Sequence, residues 1–167
     1  MTDQPDQFDQ PIQLDPPITS AEELRREFAR RASAQGLRID CPSSGVFDAR
    51  FAIVAEHPGD SEVRLKTPLV GGSGKLLFEA IRKHKYDRPQ FYITNAIKRI
   101  VVHDITGKKS DLGKDELQHW KELLLWELSK LPNLQYILVC GGPALQCLTQ
   151  HTSIEQRSEE HTSELQS

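Results

Sequence analysis

Polar residues that could do chemistry follow two apolar runs in the middle of the chain. Glu56 and His57 come directly after the apolar residues 51–55, and Asn95 closes a second run at residues 91–95. A carboxylate and an imidazole can hold a water molecule or move a proton, and an amide offers both donors and an acceptor. Because the carboxyl ends of parallel strands meet at one edge of a sheet, we expect these side chains to share a site.

Glycines lie at several points of the same stretch. Gly59 comes soon after Glu56, and residues 71–74 read Gly-Gly-Ser-Gly before Lys75. Glycine lets the backbone approach a ligand closely, and the amides at a helix start bind phosphates. The run is not a nucleotide P-loop, because Lys75 is followed by Leu76 and the upstream glycine is missing. A plain turn at a helix start is the alternative explanation.

Hydrophobic spacing predicts the helices that position these residues. Residues 20–23, Ser-Ala-Glu-Glu, have the form of a capping box, and they open an amphipathic helix that ends near Gly36. A second helix is predicted from Ser73 or Gly74, and a third from the long apolar stripe over residues 117–128. The inward residues predicted for the second helix are Leu76, Leu77, Ala80 and Ile81.

The order of the elements predicts the fold class. A third apolar run at residues 136–140 is followed by Gly141-Gly142-Pro143 and a short helical pattern, whereas residues 41–45 predict a turn. Strands that alternate with helices need crossover connections, which place helices on both faces of a parallel sheet. We therefore predict an α/β fold with three αβα layers around a parallel sheet.

Composition excludes some classes of protein. The chain has 167 residues, enough for one domain with a core, and no apolar run approaches the roughly 20 residues of a membrane helix. The N-terminus has no basic region followed by an apolar one, so no secretory signal is evident. Since three cysteines cannot all pair with one another, we expect a cytoplasmic protein, and we expect a monomer.

The formal net charge of −3 averages three unlike regions. Residues 1–19 are rich in Gln, Asp and Pro and have four acidic groups without a cation, so we expect a disordered arm. Residues 157–167 have one cation and three anions, which leaves a formal charge of +3 on residues 20–156. A mildly basic domain is compatible with nucleic acid as a partner but does not require it.

The last eleven residues differ in kind from the rest. They read Arg-Ser-Glu-Glu-His-Thr-Ser-Glu-Leu-Gln-Ser, which is similar to the translation of a common sequencing-library adapter. We expect residues 157–167 to be an artificial tail, residues 20–156 to be a partial domain, and the natural gene to continue past Gln156. The alternative is a genuine polar tail.

The central stretch resembles the uracil-DNA glycosylase superfamily, particularly its family 4 and related phage proteins. Residues 53–62 match the first motif, usually written Gly-Glu-Ala-Pro-Gly followed by acidic residues. Residues 68–74 match the Pro-Phe-Val-Gly segment, and residues 92–99 match the Thr-Asn strand end. The resemblance spans residues 20–156 and implies an enzyme that flips uridine out of DNA and hydrolyses its N-glycosidic bond.

The resemblance implies a role for each candidate residue. Glu56 and His57 lie where the family binds the base and positions the attacking water. Asn95 would hydrogen-bond one edge of the base and help to reject cytosine, although it could instead cap the turn. The residues expected at the DNA backbone are Gly59, Gly72, Ser73, Gly74 and Lys98.

Two positions depart from the family pattern. His57 replaces an alanine of family 4, or a water-handling Asp or Asn of other families, and it could supply a base near neutral pH or fill space. Leu69 replaces a phenylalanine that stacks on the flipped base. A leucine covers a ring without aromatic stacking, which loses on the order of 1 kcal/mol. We expect a reduced or altered base preference.

Family 4 also binds an iron-sulfur cluster through four cysteines. Here Arg99 stands where one of them is expected, and the amino-terminal pair is reduced to Cys41 with Ser44 three residues on. Cys140 and Cys147 match no position of the family. Four thiolates cannot be assembled, so we predict no cluster, no other metal and no cofactor.

We therefore predict a uracil-DNA glycosylase, whose partner is uracil-containing DNA and whose parent protein is an enzyme of DNA repair. The family's carboxyl-terminal His-Pro-Ser loop, which supplies a histidine to the departing base, is missing, so we expect little turnover from this chain. One alternative is a catalytically silent relative that binds nucleic acid or a partner protein, as His57 and Leu69 would permit. Another is a generic α/β nucleotide binder.

Overall fold

The computed structural model describes residues 17–102 and 112–149. Most of the arm predicted at residues 1–19, and all of the tail predicted at residues 157–167, lie outside the described residues. No helix in the described part is long and apolar enough to cross a membrane. The elements found there are α1 (Ala21–Ala34), β1 (Ser44–Gly45), β2 (Phe51–Ala55), α2 (Asp60–Leu65), α3 (Gly72–Arg82), a 3-10 turn (Arg88–Gln90), β3 (Phe91–Asn95), α4 (Lys114–Ser129), β4 (Tyr136–Val139) and α5 (Gly142–Leu148).

Helix α1 begins at the predicted cap. The Ser20 hydroxyl oxygen accepts a hydrogen bond from the Glu23 amide at 3.2 Å. The Glu23 carboxylate accepts from the Thr19 amide at 2.8 Å, one residue before the position that a capping box would use. Leu24, Phe28 and Ala32 are buried along one face, and Gly36 follows the helix with a φ of +70°. The prediction of an amphipathic first helix is confirmed.

The four strands of the described residues form one sheet in the order β1-β3-β2-β4. β2 pairs in parallel with β3 on one side and with β4 on the other. The register places Phe51 opposite both Phe91 and Tyr136, so the three strands start at the same level. The three predicted strands and their parallel arrangement are therefore confirmed.

Strand β1 was not predicted, because residues 41–45 favour a turn. It is two residues long and pairs antiparallel with β3, with Gly45 opposite Tyr92. Gly45 has a φ of +100°, and a Cβ there would lie 2.1 Å from the Phe91 carbonyl oxygen. The close approach of two backbones at a glycine forms this strand, and hydrophobic alternation gives no signal for it.

Helices cover both faces of the sheet. On one face, Ala52, Val54 and Tyr92 pack with residues of α1, α4 and α5. On the other face, Ile53 and Ile93 pack with α3. Because successive strand residues point to opposite faces, one strand contributes side chains to the hydrophobic cores on both faces of the sheet. The predicted three-layer αβα fold is confirmed.

Helix α3 is rotated from the predicted orientation. Its buried residues are Gly74 and Phe78, and Leu77 and Ile81 pack beside them. Leu76, predicted to face inward, is 70% exposed, and Ala80 is exposed too. Gly74 allows the helix to lie close to the preceding loop, so this side of the helix turns inward in place of Leu76.

Candidate active site

The parallel strands end together at one edge of the sheet. Asn95 closes β3 directly opposite Ala55, the last residue of β2. Beyond the strands, the Ile97 amide donates to the Glu56 carbonyl oxygen at 2.9 Å, and the Cys140 amide donates to the Val54 carbonyl oxygen at 2.8 Å. These backbone bonds hold the segments that follow β2, β3 and β4 against one another. Glu56 and Asn95 therefore lie at neighbouring strand ends.

The Glu56 side chain lies across the end of β4. A Cβ added to Gly141 would come 2.2 Å from Glu56 Cγ and 2.7 Å from its Cδ. Gly141 also has a φ of +99°, a conformation that other residues rarely adopt. Glu56 is half-buried, so its carboxylate stands at the edge of the sheet between β2 and β4. Gly141 leaves the space for it.

Asn95 is buried, with 3% of its surface exposed. No acceptor among the described residues lies within hydrogen-bond distance of its amide nitrogen, Nδ2. After β3, the backbone amides of Ala96 and Ile97 donate to the carbonyl oxygens of Ala55 and Glu56, which continues the pairing with the segment after β2. An unpaired buried amide costs about 1–3 kcal/mol, so Nδ2 is available to an acceptor that comes from a ligand.

His57 is half-buried beside its own backbone. Its Nδ1 lies 3.3 Å from the Pro58 carbonyl oxygen, and Pro58 is buried. The donation of an Nδ1 proton to this oxygen would leave Nε2 as the acceptor of the neutral ring. His57 therefore lies next to Glu56, directly after the end of β2.

Leu69 lies in a loop that leads into α3. Its φ is +54°, which a residue with a branched side chain adopts only at a cost. The side chain packs against the core formed by Ile53, Phe78, Phe91 and Ile93. By strand alternation, Asn95 belongs to the same sheet face as Ile93. Leu69 and Asn95 therefore lie on one face of the sheet.

Glu62 is a residue to which the sequence analysis assigned no role. Its Oε1 accepts hydrogen bonds from the Val70 amide at 3.1 Å and the Gly71 amide at 2.7 Å. A Cβ at Gly59 would lie 3.1 Å from Oε2, and one at Gly71 would lie 2.9 Å from Oε1. Glu62 thus fills the space between the two glycine turns. The signal that could have revealed it is an acidic residue three positions after a glycine in a motif segment.

The residues of the two glycine-containing segments that are expected at the DNA backbone fall into two groups. Gly59, Gly72 and Ser73 are exposed, and no atom would meet a Cβ at Gly72 within 4 Å. Gly74 is buried, and a Cβ there would lie 2.1 Å from the Leu69 carbonyl oxygen. Gly74 is therefore needed for the close packing of α3 on the preceding loop, and its contact with the DNA backbone stays a prediction.

The prediction that Lys98 contacts the DNA backbone is wrong. Its side chain is 2% exposed, and Nζ lies 2.9 Å from Glu127 Oε2 on α4. Nζ also donates to the Thr94 hydroxyl oxygen and lies 4.5 Å from the centre of the Phe28 ring. A lysine whose charge is neutralised in the core cannot reach a phosphate at the surface.

Glu127 organises a polar network that the sequence analysis did not find. Its Oε2 accepts from Thr94 at 3.1 Å, and its Oε1 lies 2.9 Å from the Tyr92 hydroxyl group. Burial, and secondly the negative charge of Glu127, raise the pKa of Tyr92 above its usual range. The available signal was a glutamate between Leu124 and Leu128, on the buried side of an otherwise apolar helix face.

The cysteines do not come together as ligands of a cluster. Cys147 belongs to the core on one face of the sheet, whereas Cys140 packs against the core on the other. Arg99, at the position of an expected cysteine, binds Glu116 through two hydrogen bonds of 2.5 and 2.7 Å. In the described residues, no group of three or more His, Cys, Asp or Glu residues could hold a metal ion. These side chains do not fit a four-cysteine iron-sulfur cluster.

Comparison with known proteins adds two findings. A family model described as the Uracil DNA glycosylase superfamily matches residues 42–165. The chain is also similar to a Type-4 uracil-DNA glycosylase of Thermotoga maritima, with 39% identity over 54 residues. The match covers 32% of this chain and 28% of that relative. The chain thus aligns with less than a third of the length of this curated relative.

Proposed function

The chain belongs to the uracil DNA glycosylase superfamily, and on that premise we propose that it binds uracil flipped out of DNA and hydrolyses its N-glycosidic bond. In this reaction the bond between C1′ of the sugar and N1 of the base breaks. Water adds to C1′ and loses a proton, and uracil leaves as an anion. Such chemistry needs a pocket that recognises the base and a group that orients the water.

The observation that supports this proposal most strongly is the unpaired amide nitrogen of Asn95. Uracil presents a carbonyl oxygen, O4, beside an N3–H donor. The Asn95 amide offers Nδ2 to O4 and its oxygen to N3–H, so one side chain matches this edge of the base. Cytosine presents an amino group in place of O4, which would face Nδ2 donor to donor. Recognition of uracil would then relieve the cost of the unpaired amide.

Glu56 and His57 are the residues proposed to handle water. A carboxylate at the strand end can accept a hydrogen bond from the attacking water and stabilise positive charge that develops on the sugar. An imidazole beside it can take the proton that the water releases. Both residues follow β2 directly, so they lie one strand away from the base edge that Asn95 would bind.

Leu69 and the exposed start of α3 complete the proposed site. Leu69 would cover one face of the base with an aliphatic side chain. Gly72 and Ser73, in the first turn of an 11-residue helix, would approach a DNA phosphate through their amides. Gly59 is exposed at the start of α2 and is proposed to let the DNA backbone come close.

The test is uracil release from an oligonucleotide that contains one deoxyuridine, measured in a single turnover so that the slow release expected of this chain is registered. Asn95→Ala should reduce the rate of release at least 100-fold, because about 3 kcal/mol of interaction with the base is removed. Asn133→Ala is the matched control, since Asn133 is exposed and its side chain donates to the Asp48 carbonyl oxygen at 3.4 Å. Undiminished release by Asn95→Ala would refute the assignment of the site.

A silent relative that binds uracil without cleaving the bond is the second candidate. Leu69 and His57 favour it, because neither residue type is the one that the family uses at its position. The same experiment separates the two candidates when binding is measured beside release. Uracil binding that depends on Asn95, without any release, would identify the silent relative.

A further inference from the structure

The loop that contains Leu69 has an unfavourable backbone conformation. Leu69 has a φ of +54°, in the left-handed region, which costs an ordinary residue roughly 1 kcal/mol or more. The loop has no strand partner, because it lies between α2 and α3. Its conformation must therefore be stabilised by contacts from elsewhere in the fold.

Arg88 supplies such contacts from one side. Its Nη1 donates to the Leu69 carbonyl oxygen at 2.9 Å, and its Nη2 donates to the Pro68 carbonyl oxygen at 2.5 Å. The planar fork of a guanidinium is suited to two neighbouring carbonyl groups, which an ammonium cannot bind in the same geometry. The guanidinium also lies 5.2 Å from the centre of the Phe78 ring, in the core below Leu69.

Glu62 holds the same loop from the other side. Its carboxylate accepts from the amides of Val70 and Gly71, the two residues that follow Leu69. Four consecutive residues are thus fixed, two through their carbonyl groups and two through their amides. Glu62 lies on α2, just after the segment with Glu56, and Arg88 lies just before β3, which ends in Asn95. The loop is tied to both strands of the proposed site.

The positive charge of Arg88 is partly removed from water, which costs free energy. The residue is half-buried, and this burial lowers the pKa of its guanidinium. Its hydrogen bonds go to the two loop carbonyl oxygens. Because both partners are main-chain oxygens, the guanidinium fixes the geometry of the loop through two hydrogen bonds.

We infer that Arg88 is a positioning residue, which holds Leu69 in the conformation that places its side chain over the base. The part of this inference that concerns the base rests on the proposed function, and the part that concerns the loop does not. Without the guanidinium, residues 68 and 69 lose both carbonyl partners, and Leu69 can leave the left-handed region. The covering of the base would then weaken, while Asn95 would remain in place on β3.

The first measurement follows the loop itself by amide hydrogen exchange in the folded 167-residue chain. Arg88→Met should raise the exchange rates of the Val70 and Gly71 amides about tenfold, because the loop opens more often. The amides of Ile93 and Ile53, inside the sheet, should keep their rates. Arg50→Met is the matched control, since Arg50 is exposed and its guanidinium donates to the Gln135 side chain at 2.8 Å.

The second measurement is the affinity for free uracil, with Leu69→Ala as a second background. Arg88→Met should weaken uracil binding several-fold in the natural background and have no further effect when Leu69 is alanine. Arg88→Lys should resemble Arg88→Met, because a lysine keeps the charge without the planar fork. A merely structural role would weaken binding equally in both backgrounds.

The outcomes separate the two proposals. If the unmodified chain does not bind uracil, the proposed function fails, and the exchange rates still decide whether Arg88 holds the loop. If Arg88→Met leaves the Val70 and Gly71 exchange rates unchanged, the positioning role is overturned. An equal loss of uracil affinity in the Leu69→Ala background would also overturn it, since Arg88 would then act on the ligand without Leu69.

Discussion

Lys98 Nζ lies 2.9 Å from Glu127 Oε2, and neither side chain is more than 2% exposed. The pair joins α4 to the segment just after Asn95, and Thr94, just before Asn95, binds the same carboxylate. Thr94, directly before the proposed base-binding residue, and Lys98, three positions after it, are thus anchored in the core. Asn95 lies in a rigid part of the fold, as recognition of a small base edge requires.

Glu127→Gln should lower the free energy of unfolding by about 3 kcal/mol, because it leaves the Lys98 charge buried without a counter-charge. The amide keeps the shape of the side chain, so the loss would report charge and hydrogen bonding and not a cavity. Urea unfolding measures it. Glu122→Gln is the control on the same helix, since Glu122 is exposed and accepts from Gln118 at 2.9 Å. Equal stability of the two variants would contradict the importance of the pair.

Gly141→Ala should destabilise the chain by about 2–3 kcal/mol, because a Cβ collides with Glu56 and the φ of +99° is strained for alanine. Since the Glu56 carboxylate must also move, uracil release should fall. Thermal unfolding and the release assay measure the two effects. Gly142→Ala is the control, because a Cβ there would be 4.0 Å from Glu56 Oε1. If Gly141→Ala and Gly142→Ala lose the same amount of stability, Glu56 does not occupy this position.

Leu69→Phe should strengthen uracil binding about fivefold, because an aromatic ring stacked on a base is worth about 1 kcal/mol more than an aliphatic cover. Isothermal titration with free uracil measures the change. Leu65→Phe is the comparison, since Leu65 is 56% exposed on α2 and a ring there should leave the affinity unchanged. Weaker binding by Leu69→Phe would place Leu69 away from the base.

Stability should fall as the pH rises from about 9 toward 11. Burial raises the pKa of the Cys41 and Cys147 thiols to about 11, from an ordinary value of 9.0. Between these values the unfolded chain has released protons that the folded chain still holds, so a higher pH favours unfolding. At pH 10, the raised pKa of each thiol should lower the free energy of unfolding by about 1 kcal/mol.

Urea unfolding at pH 8 and pH 10 checks this dependence. The double variant Cys41→Ala/Cys147→Ala should show a smaller loss between the two pH values. Part of the loss of stability should remain in that variant, because the raised pKa of Tyr92 also favours unfolding as the pH rises. A double variant with the full pH dependence of the original chain would show that the two thiols are accessible to water.

Local pattern was sufficient for most of the elements. Apolar runs followed by glycine or polar residues identified β2, β3 and β4, and Ser20 identified the start of α1, because periodicity and caps depend on neighbours in the chain. Their alternation also predicted the parallel sheet. Since parallel strands end at one edge, the sequence alone determined that Glu56 and Asn95 would lie near each other.

Only the tertiary structure decided what the remaining residues contact. Lys98 and Glu127 are 29 positions apart, and Arg88 reaches Leu69 across 19 positions. Nothing near Lys98 in the chain distinguishes a buried lysine from an exposed one, and nothing near Gly74 reports the Leu69 backbone against it. Such contacts depend on how the helices pack on the sheet. That packing is determined by side chains that are distant in the sequence and not by local periodicity.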